Sequence, residues 1–277
     1  MLQLNELARQ RVIEKPYAHI VCENALKDLH NLEAEFPPKH DFGPTIRMDG
    51  DLTAGDPGYE ALIARSSAYG ALHRQIYSTE FISVLLELFR APLQLAHADG
   101  VLLADPFALP IVPEPIEQRV TGRFVPGEAG PFLYPRFDIG YGGLGYGRHN
   151  GGGGVHIDNL PRLISVMVFL NTPRSMVGGS HRLYGLRRNK PVLEREYRPV
   201  AGLLVASLQS NRAFHDVDPI VQIDGERRAF YMAVSCSQPI WKKESHRKLS
   251  ALSRNRFDRP PRSGIVSRLQ HLLSILR

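Results

Sequence analysis

The sequence predicts a mainly β protein with flanking helices, its core an antiparallel sandwich or barrel. From about residue 118 the chain breaks into short β-rich runs separated by turn residues, and few helical patterns interrupt them. Helical periodicity is confined to stretches before residue 91 and after residue 262. The composition is ordinary for a globular chain: 277 residues, 43% hydrophobic and 22% charged. That excludes collagen, low-complexity and wholly disordered classes, and the length allows a real core without staples. Two cysteines, Cys22 and Cys236, exclude a disulfide scaffold and a Cys-rich zinc module. No apolar run reaches the ~18 residues of a membrane span. The start, MLQLNELARQRVIEK, is mixed and charged and does not read as a signal peptide. A soluble protein of a reducing cytoplasm is the expectation.

The elements follow in order. Residues 17–23 (YAHIVCE) read as a short strand. Asn24 then reads as the N-cap of a helix to about Phe36, with Leu26, Leu29, Leu32 and Phe36 on one stripe and Pro37-Pro38 as its stop. Residues 59–90 read as one or two helices broken near Gly70 and Ser78-Thr79. The predicted strands are RVTGRFV (119–125), FLYPRFDI (132–139), LISVMVFLN (163–171), GLLVASL (202–208) and RRAFYMAVSCS (227–237). Residues 263–276 return to an amphipathic helix, with Ile265, Leu269, Leu272 and Leu276 on one face. The chain thus divides into an N-terminal part (1–117), a β core (118–241) and a C-terminal tail (242–277), integrated as one domain.

Charge is unevenly spread. Residues 242–277 hold ten basic and two acidic residues, a net +8, against +6 for the whole chain. The tail could meet an acidic partner protein, acidic headgroups or nucleic acid. Nothing in it interleaves aromatics with basic residues, so nucleic acid is not favoured. The Gly-rich stretch 140–154 has nine glycines in fifteen residues but no Lys-Ser/Thr, which argues against a phosphate-cradling loop. It reads as a mobile loop placed where a lid would lie.

Chemistry concentrates at His156-Ile157-Asp158. In a strand, residues i and i+2 share a face, so an imidazole and a carboxylate can meet one ion. A second histidine from a facing strand would complete a two-His-one-carboxylate triad, which leaves coordination positions open for non-haem Fe(II) oxygen chemistry. A rival pair, His97-Ala98-Asp99, precedes Gly100 in weak strand context and reads as ordinary turn residues. The pair at 156 and 158 has better company downstream: Phe169-Leu170-Asn171, Gly178-Gly179-Ser180-His181-Arg182-Leu183-Tyr184, His215-x-Val217-x-Pro219 and Gly225-Glu226-Arg227.

This ordered set over residues 118–240 resembles the Fe(II)/2-oxoglutarate-dependent dioxygenases, in particular their prolyl-hydroxylase-like branch. Members show His-x-Asp, a strand ending in Leu-Asn, a Gly-Gly-x-Leu-x-Leu-Tyr-like turn, His-x-Val-x-Pro and Gly-x-Arg. Residues 16–37 also resemble the opening of bacterial members. The resemblance implies a double-stranded β-helix (jelly-roll) core, with His156, Asp158 and His215 binding Fe(II). It implies that Arg227 binds the distal carboxylate of 2-oxoglutarate, for which a buried guanidinium is a fitting partner. Arg227 is preferred to Arg228 because Arg227-Arg228-Ala229 matches the family's Arg-x-Ala; Arg228 faces the other side of the strand. The implied reaction consumes 2-oxoglutarate and O2, yields succinate and CO2, and hydroxylates an unactivated C–H bond. The carboxylate of Asp158 argues against the related halogenases, which replace it with a small residue.

Tyr134, Arg136 and Asp138 alternate on one strand face and could reach the barrel mouth, with Arg136 a candidate anchor for an acidic substrate. Candidate substrates are a small molecule such as a free amino acid, a peptide side chain, a carrier-bound biosynthetic intermediate or a cell-surface sugar precursor. The other readings are a catalytically silent or cupin-like metal-binding barrel, and a partner or nucleic-acid adaptor acting through residues 242–277.

Overall fold

The computed structural model describes residues 1–42, 51–114, 130–143 and 154–243. The strand expected at 119–125, most of the Gly-rich stretch and the basic tail with its helix lie outside the described residues. Helices α1 (Leu4–Ala8), α2 (Leu29–Ala34), α3 (Pro57–Arg65), α4 (Ser67–Ile76), α5 (Thr79–Leu88) and α6 (Arg90–Ala98) come early. The strands are β1 (His19–Cys22), β2 (Asp51–Thr53), β3 (Leu133–Gly142), β4 (Arg162–Phe169), β5 (Met176–Val177), β6 (His181–Arg187), β7 (Lys190–Tyr197), β8 (Leu204–Leu208), β9 (Phe214–Val217), β10 (Gln222–Ile223) and β11 (Arg227–Cys236). They build a jelly-roll from a six-stranded sheet in the order β1-β8-β4-β11-β3-β2, a three-stranded sheet β7-β6-β9 and the pair β10-β5. All pairings within these sheets are antiparallel.

Strand parity divides the large sheet into two chemically different faces. On β11, Phe230, Met232, Val234 and Cys236 point one way and join Phe137, Ile139, Val166, Val168, Leu204 and Ala206 in the main core. The helices cover this face: Tyr59, Leu62, Tyr69, Leu72, Phe81 and Leu85 belong to the same cluster. Phe230 is its aromatic hub, edge-on to Tyr69 at 5.8 Å and to Phe137 at 5.3 Å between ring centroids. The opposite parity carries Arg227, Ala229, Tyr231 and Ala233 on β11, Met167 and Ser165 on β4, and Asp138, Arg136 and Tyr134 on β3. Those residues form the inner wall of the roll.

Three local expectations are corrected. The helix expected from Asn24 starts five residues later, at Leu29. Asn24 is in the left-handed region at φ 55°, and the chain after it is drawn into other bonds: Ala25 N–H donates to Gly202 O and Lys27 N–H to Met1 O. Leu26 and Leu32 still bury their side chains, so the stripe survives without a continuous helix. The break expected at Gly70 falls at Ser66, whose extended backbone and hydroxyl cap α4 by accepting from Tyr69 N–H at 3.1 Å. Gly70 lies inside α4, where a Cβ would sit 3.0 Å from Ile63 O, so this glycine serves close packing between α3 and α4. His97 lies in the last turn of α6 and Asp99 is its C-cap, so His97 is helical and the turn begins at Asp99; neither residue joins a metal-competent cluster among the described residues.

Strand β7 has no counterpart among the expected elements. It is an edge strand of charged residues, KPVLEREY, in which Pro191 is tolerated because an edge leaves donors unpaired. A tight turn with Arg188 at φ 49° and Asn189 at φ 58° returns the chain from β6.

Replacing Phe230 with alanine should lower stability by about 3–5 kcal/mol, as expected for deleting a buried aromatic. Urea unfolding of Phe230→Ala against the parent measures it.

Candidate metal centre

Two histidines from different parts of the chain are brought together by backbone pairing. His156 N–H donates to His215 O and His215 N–H to His156 O, both at 2.9 Å, an isolated bridge that ties His156 to β9. His156 therefore sits on a two-residue bridge at the rim, not in the strand expected for it. The two rings lie 4.5 Å apart between centroids. Asp158 Oδ1 is 3.9 Å from His156 Nε2 and 3.8 Å from His215 Nε2. The three ligand atoms lie within 4.8 Å of one another, the one metal-competent cluster of this kind among the described residues.

Hydrogen bonds on the far side of each group fix its chemical form. His156 Nδ1 faces Gly154 O at 2.7 Å, and His215 Nδ1 faces Ala213 O at 2.9 Å. A carbonyl only accepts, so each Nδ1 carries the proton and each Nε2 presents its lone pair to the centre. Ser165 Oγ donates to Asp158 Oδ2 at 2.7 Å, and Oδ1 is the oxygen that faces both Nε2 atoms. Burial disfavours the Asp158 charge, but His215, Arg162, His156 and the Ser165 bond outweigh it and hold the carboxyl well below the usual carboxylate range. Two imidazoles with Nε2 turned inward and one carboxylate, already aimed, suit a first-row transition-metal dication and leave other positions open.

Arg227 begins β11 on the same inner face and is fully buried, with 0% of its surface exposed. Nε donates to Gly179 O at 2.9 Å and Nη1 to Tyr231 Oη at 2.8 Å. Nη2 lies 3.0 Å from Met167 Sδ, and Cζ sits 4.8 Å from the Phe169 ring centroid. Arg228 turns away, with Cζ 4.7 Å from the Phe36 ring and Nη1 bonded to Glu33 O. The motifs around Arg227 act as a clamp. Asn171 donates to Glu226 O at 2.7 Å and accepts from Arg228 N–H at 2.9 Å, which pins the start of β11. Gly178 and Gly179, both at positive φ, let the turn before β6 press on Pro219; a Cβ on Gly178 would lie 1.9 Å from Pro219 O.

On β3, Tyr134 is half-buried, and its phenol is pushed up by that burial. Arg136 Nε donates to Asp138 Oδ2 at 2.7 Å, so a carboxylate already meets its charge. The sequence reading did not single out four further residues of this cavity. Ser165 is the polar residue in the apolar run LISVMVF, and Tyr231 sits four residues beyond Arg227 on the same face. Arg162, at the start of β4, acts electrostatically on both Asp158 and Tyr134 and makes no side-chain ion pair among the described residues. His181 lies 5.8 Å from His215 between ring centroids. Burial first, then the neighbouring His215 and Arg227, push its imidazole well down.

Fold and donor set together define a jelly-roll protein with a preformed two-histidine-one-carboxylate centre. Neither a family model nor a curated protein sequence matches this chain. Among solved structures, it is similar to a prolyl 4-hydroxylase of Phytophthora capsici, with a TM-score of 0.50 and 14% identity over 95% of this chain and 78% of that one. A Pseudomonas putida prolyl-4-hydroxylase aligns with a TM-score of 0.42 and 16% identity over 84% of this chain and 96% of that one. The viral collagen prolyl hydroxylase of Paramecium Bursaria Chlorella virus-1 aligns at 0.36 and 12% over 78% and 94%. At these identities the likeness is one of architecture alone, and the first of these alignments agrees with the jelly-roll core.

Ser165→Ala should weaken metal binding by about 10–100-fold while leaving the fold intact, because Asp158 loses the bond that orients it. Competition titration of Co(II) against a chromophoric chelator reads this. Unchanged affinity would mean that Ser165 does not orient the carboxylate.

Proposed function

We propose that this protein is an Fe(II)- and 2-oxoglutarate-dependent oxygenase that hydroxylates an unactivated C–H bond. The observation that carries the reading is the coexistence of three pre-aimed metal donors and a fully buried guanidinium on the inward parity of β11. His156, Asp158 and His215 would hold Fe(II), and Arg227 would take the distal carboxylate of 2-oxoglutarate. When bound, iron with 2-oxoglutarate and O2 supplies the oxidising power, with succinate and CO2 as by-products.

The protein's share is positioning and exclusion of water. Arg227 offers an always-charged, planar donor set, and Tyr231 and Gly179 O fix its plane. Met167, Phe169 and Ala229 form a dry cluster beside it, which strengthens each polar contact made there. The two Nδ1 bonds keep the imidazoles from rotating as ligands exchange at the open positions.

The substrate reading is a small molecule, amino acid or peptide side chain, or a carrier-bound intermediate. A carboxylate on that substrate fits Arg162 better than Arg136, since Asp138 already engages Arg136. Arg162→Gln should then raise KM for an acidic substrate found by screening 2-oxoglutarate turnover, with 2-oxoglutarate affinity unchanged.

Protein loaded with Fe(II) should release labelled CO2 from 1-labelled 2-oxoglutarate slowly even without the main substrate, and Asp158→Ala should abolish the release. Arg227→Leu should bind metal as the parent does but lose 2-oxoglutarate affinity by roughly a hundredfold or more, the scale for truncating one partner of a buried charge pair. Absence of both release and anaerobic 2-oxoglutarate binding in the parent would overturn the reading.

A further inference from the structure

The triad and Arg227 leave a third imidazole of the same cavity without a task. His181 is 7% exposed, and its Nδ1 is shielded from solvent with no hydrogen-bond partner among the described residues. Register places it on the inner face of the small sheet: Leu183 lies opposite His215 and His181 opposite Val217. Its ring is 5.8 Å from that of His215, and it follows by two residues the glycine whose carbonyl holds Arg227. A buried polar atom left unpaired is costly, and native folds keep few of them without a use. An apolar residue would fill this position without that cost. The Gly-Gly-x-Leu pattern of the resembling family has leucine here, so this chain has a polar group where the pattern has an apolar one.

We propose that His181 is a positioning residue that donates a hydrogen bond to the dianionic cosubstrate where the latter lies between the metal triad and Arg227. The inference rests on the 2-oxoglutarate reading above and adds a contact to it. His181 adjoins His215 through its ring and, two residues back in the chain, the glycine that holds Arg227, and the oxygens of a bound acid are acceptors for its ring N–H. A donor there fixes the rotation of the bound acid about its long axis, which the terminal Arg227 contact alone leaves free. His181 does not itself ligate the ion, for its nitrogens fall outside the metal-competent cluster.

The test is an anaerobic titration of the Fe(II)-loaded protein with 2-oxoglutarate, followed by the charge-transfer absorption of the chelate, on the parent, His181→Leu and His181→Asn. Leucine keeps the apolar volume and removes the donor; asparagine restores an N–H near the Nδ1 position. The expected result is a roughly tenfold weaker 2-oxoglutarate affinity and a displaced absorption band in His181→Leu. Fe(II) affinity should be unchanged, and His181→Asn should recover at least part of the loss. Parent-like binding in His181→Leu overturns this inference alone. Equal loss of metal and 2-oxoglutarate in both variants also overturns it, since His181 then serves only packing. Absence of 2-oxoglutarate binding in the parent overturns it together with the function proposed above, which separates the two failures.

Discussion

Everything in the cavity depends on one constraint: three groups that would scatter or protonate if left alone are held at one point in their ligating forms. Each is secured from behind. Two backbone carbonyls hold the proton of each imidazole on Nδ1, and a serine hydroxyl occupies the second oxygen of the carboxylate. The reciprocal backbone bridge between His156 and His215 brings the rim segment carrying the His-x-Asp pair against β9 of the small sheet. An ion entering such a site meets a geometry already organised, so little of its binding energy goes into ordering ligands.

The second dependence is parity. Because β11 alternates, one strand supplies both the hub of the core and the wall of the cavity: Phe230 packs under the helices while Arg227, Ala229 and Tyr231 face inward. Arg227 can be fully buried because a carbonyl, a phenol, a thioether and an aromatic face surround it. Its neighbour Arg228, one residue on, lies against Phe36 and the end of α2. A one-residue slip would exchange the two environments, and the Asn171 clamp opposes that slip.

Much of this was legible in the chain, for reasons that differ by element. β3, β4, β8 and β11 were readable as apolar runs with turn residues at their ends, because sheets buried on both faces leave continuous hydrophobic sequence. The His-x-Asp pair and His215 were readable as spacing and order, and the structure brings them together. What failed was set by tertiary contacts invisible to local pattern. Asn24 looks like a cap, yet the residues after it pair with the N-terminus and with Gly202. Gly70 looks like a breaker, yet it marks a close approach between helices. β7 is nearly featureless because an edge strand needs no hydrophobic face. Ser165 and His181 carried no signal as single residues; only register and burial reveal that both meet the cavity.

The most direct measurement is an anaerobic crystal structure of the Fe(II)-loaded protein with anomalous data at the iron edge. The account predicts one ion, about 2.0–2.2 Å from His156 Nε2, Asp158 Oδ1 and His215 Nε2, with both Nδ1 atoms still on their carbonyls. An ion held elsewhere, or coordination through Nδ1 with those carbonyl bonds broken, would contradict it.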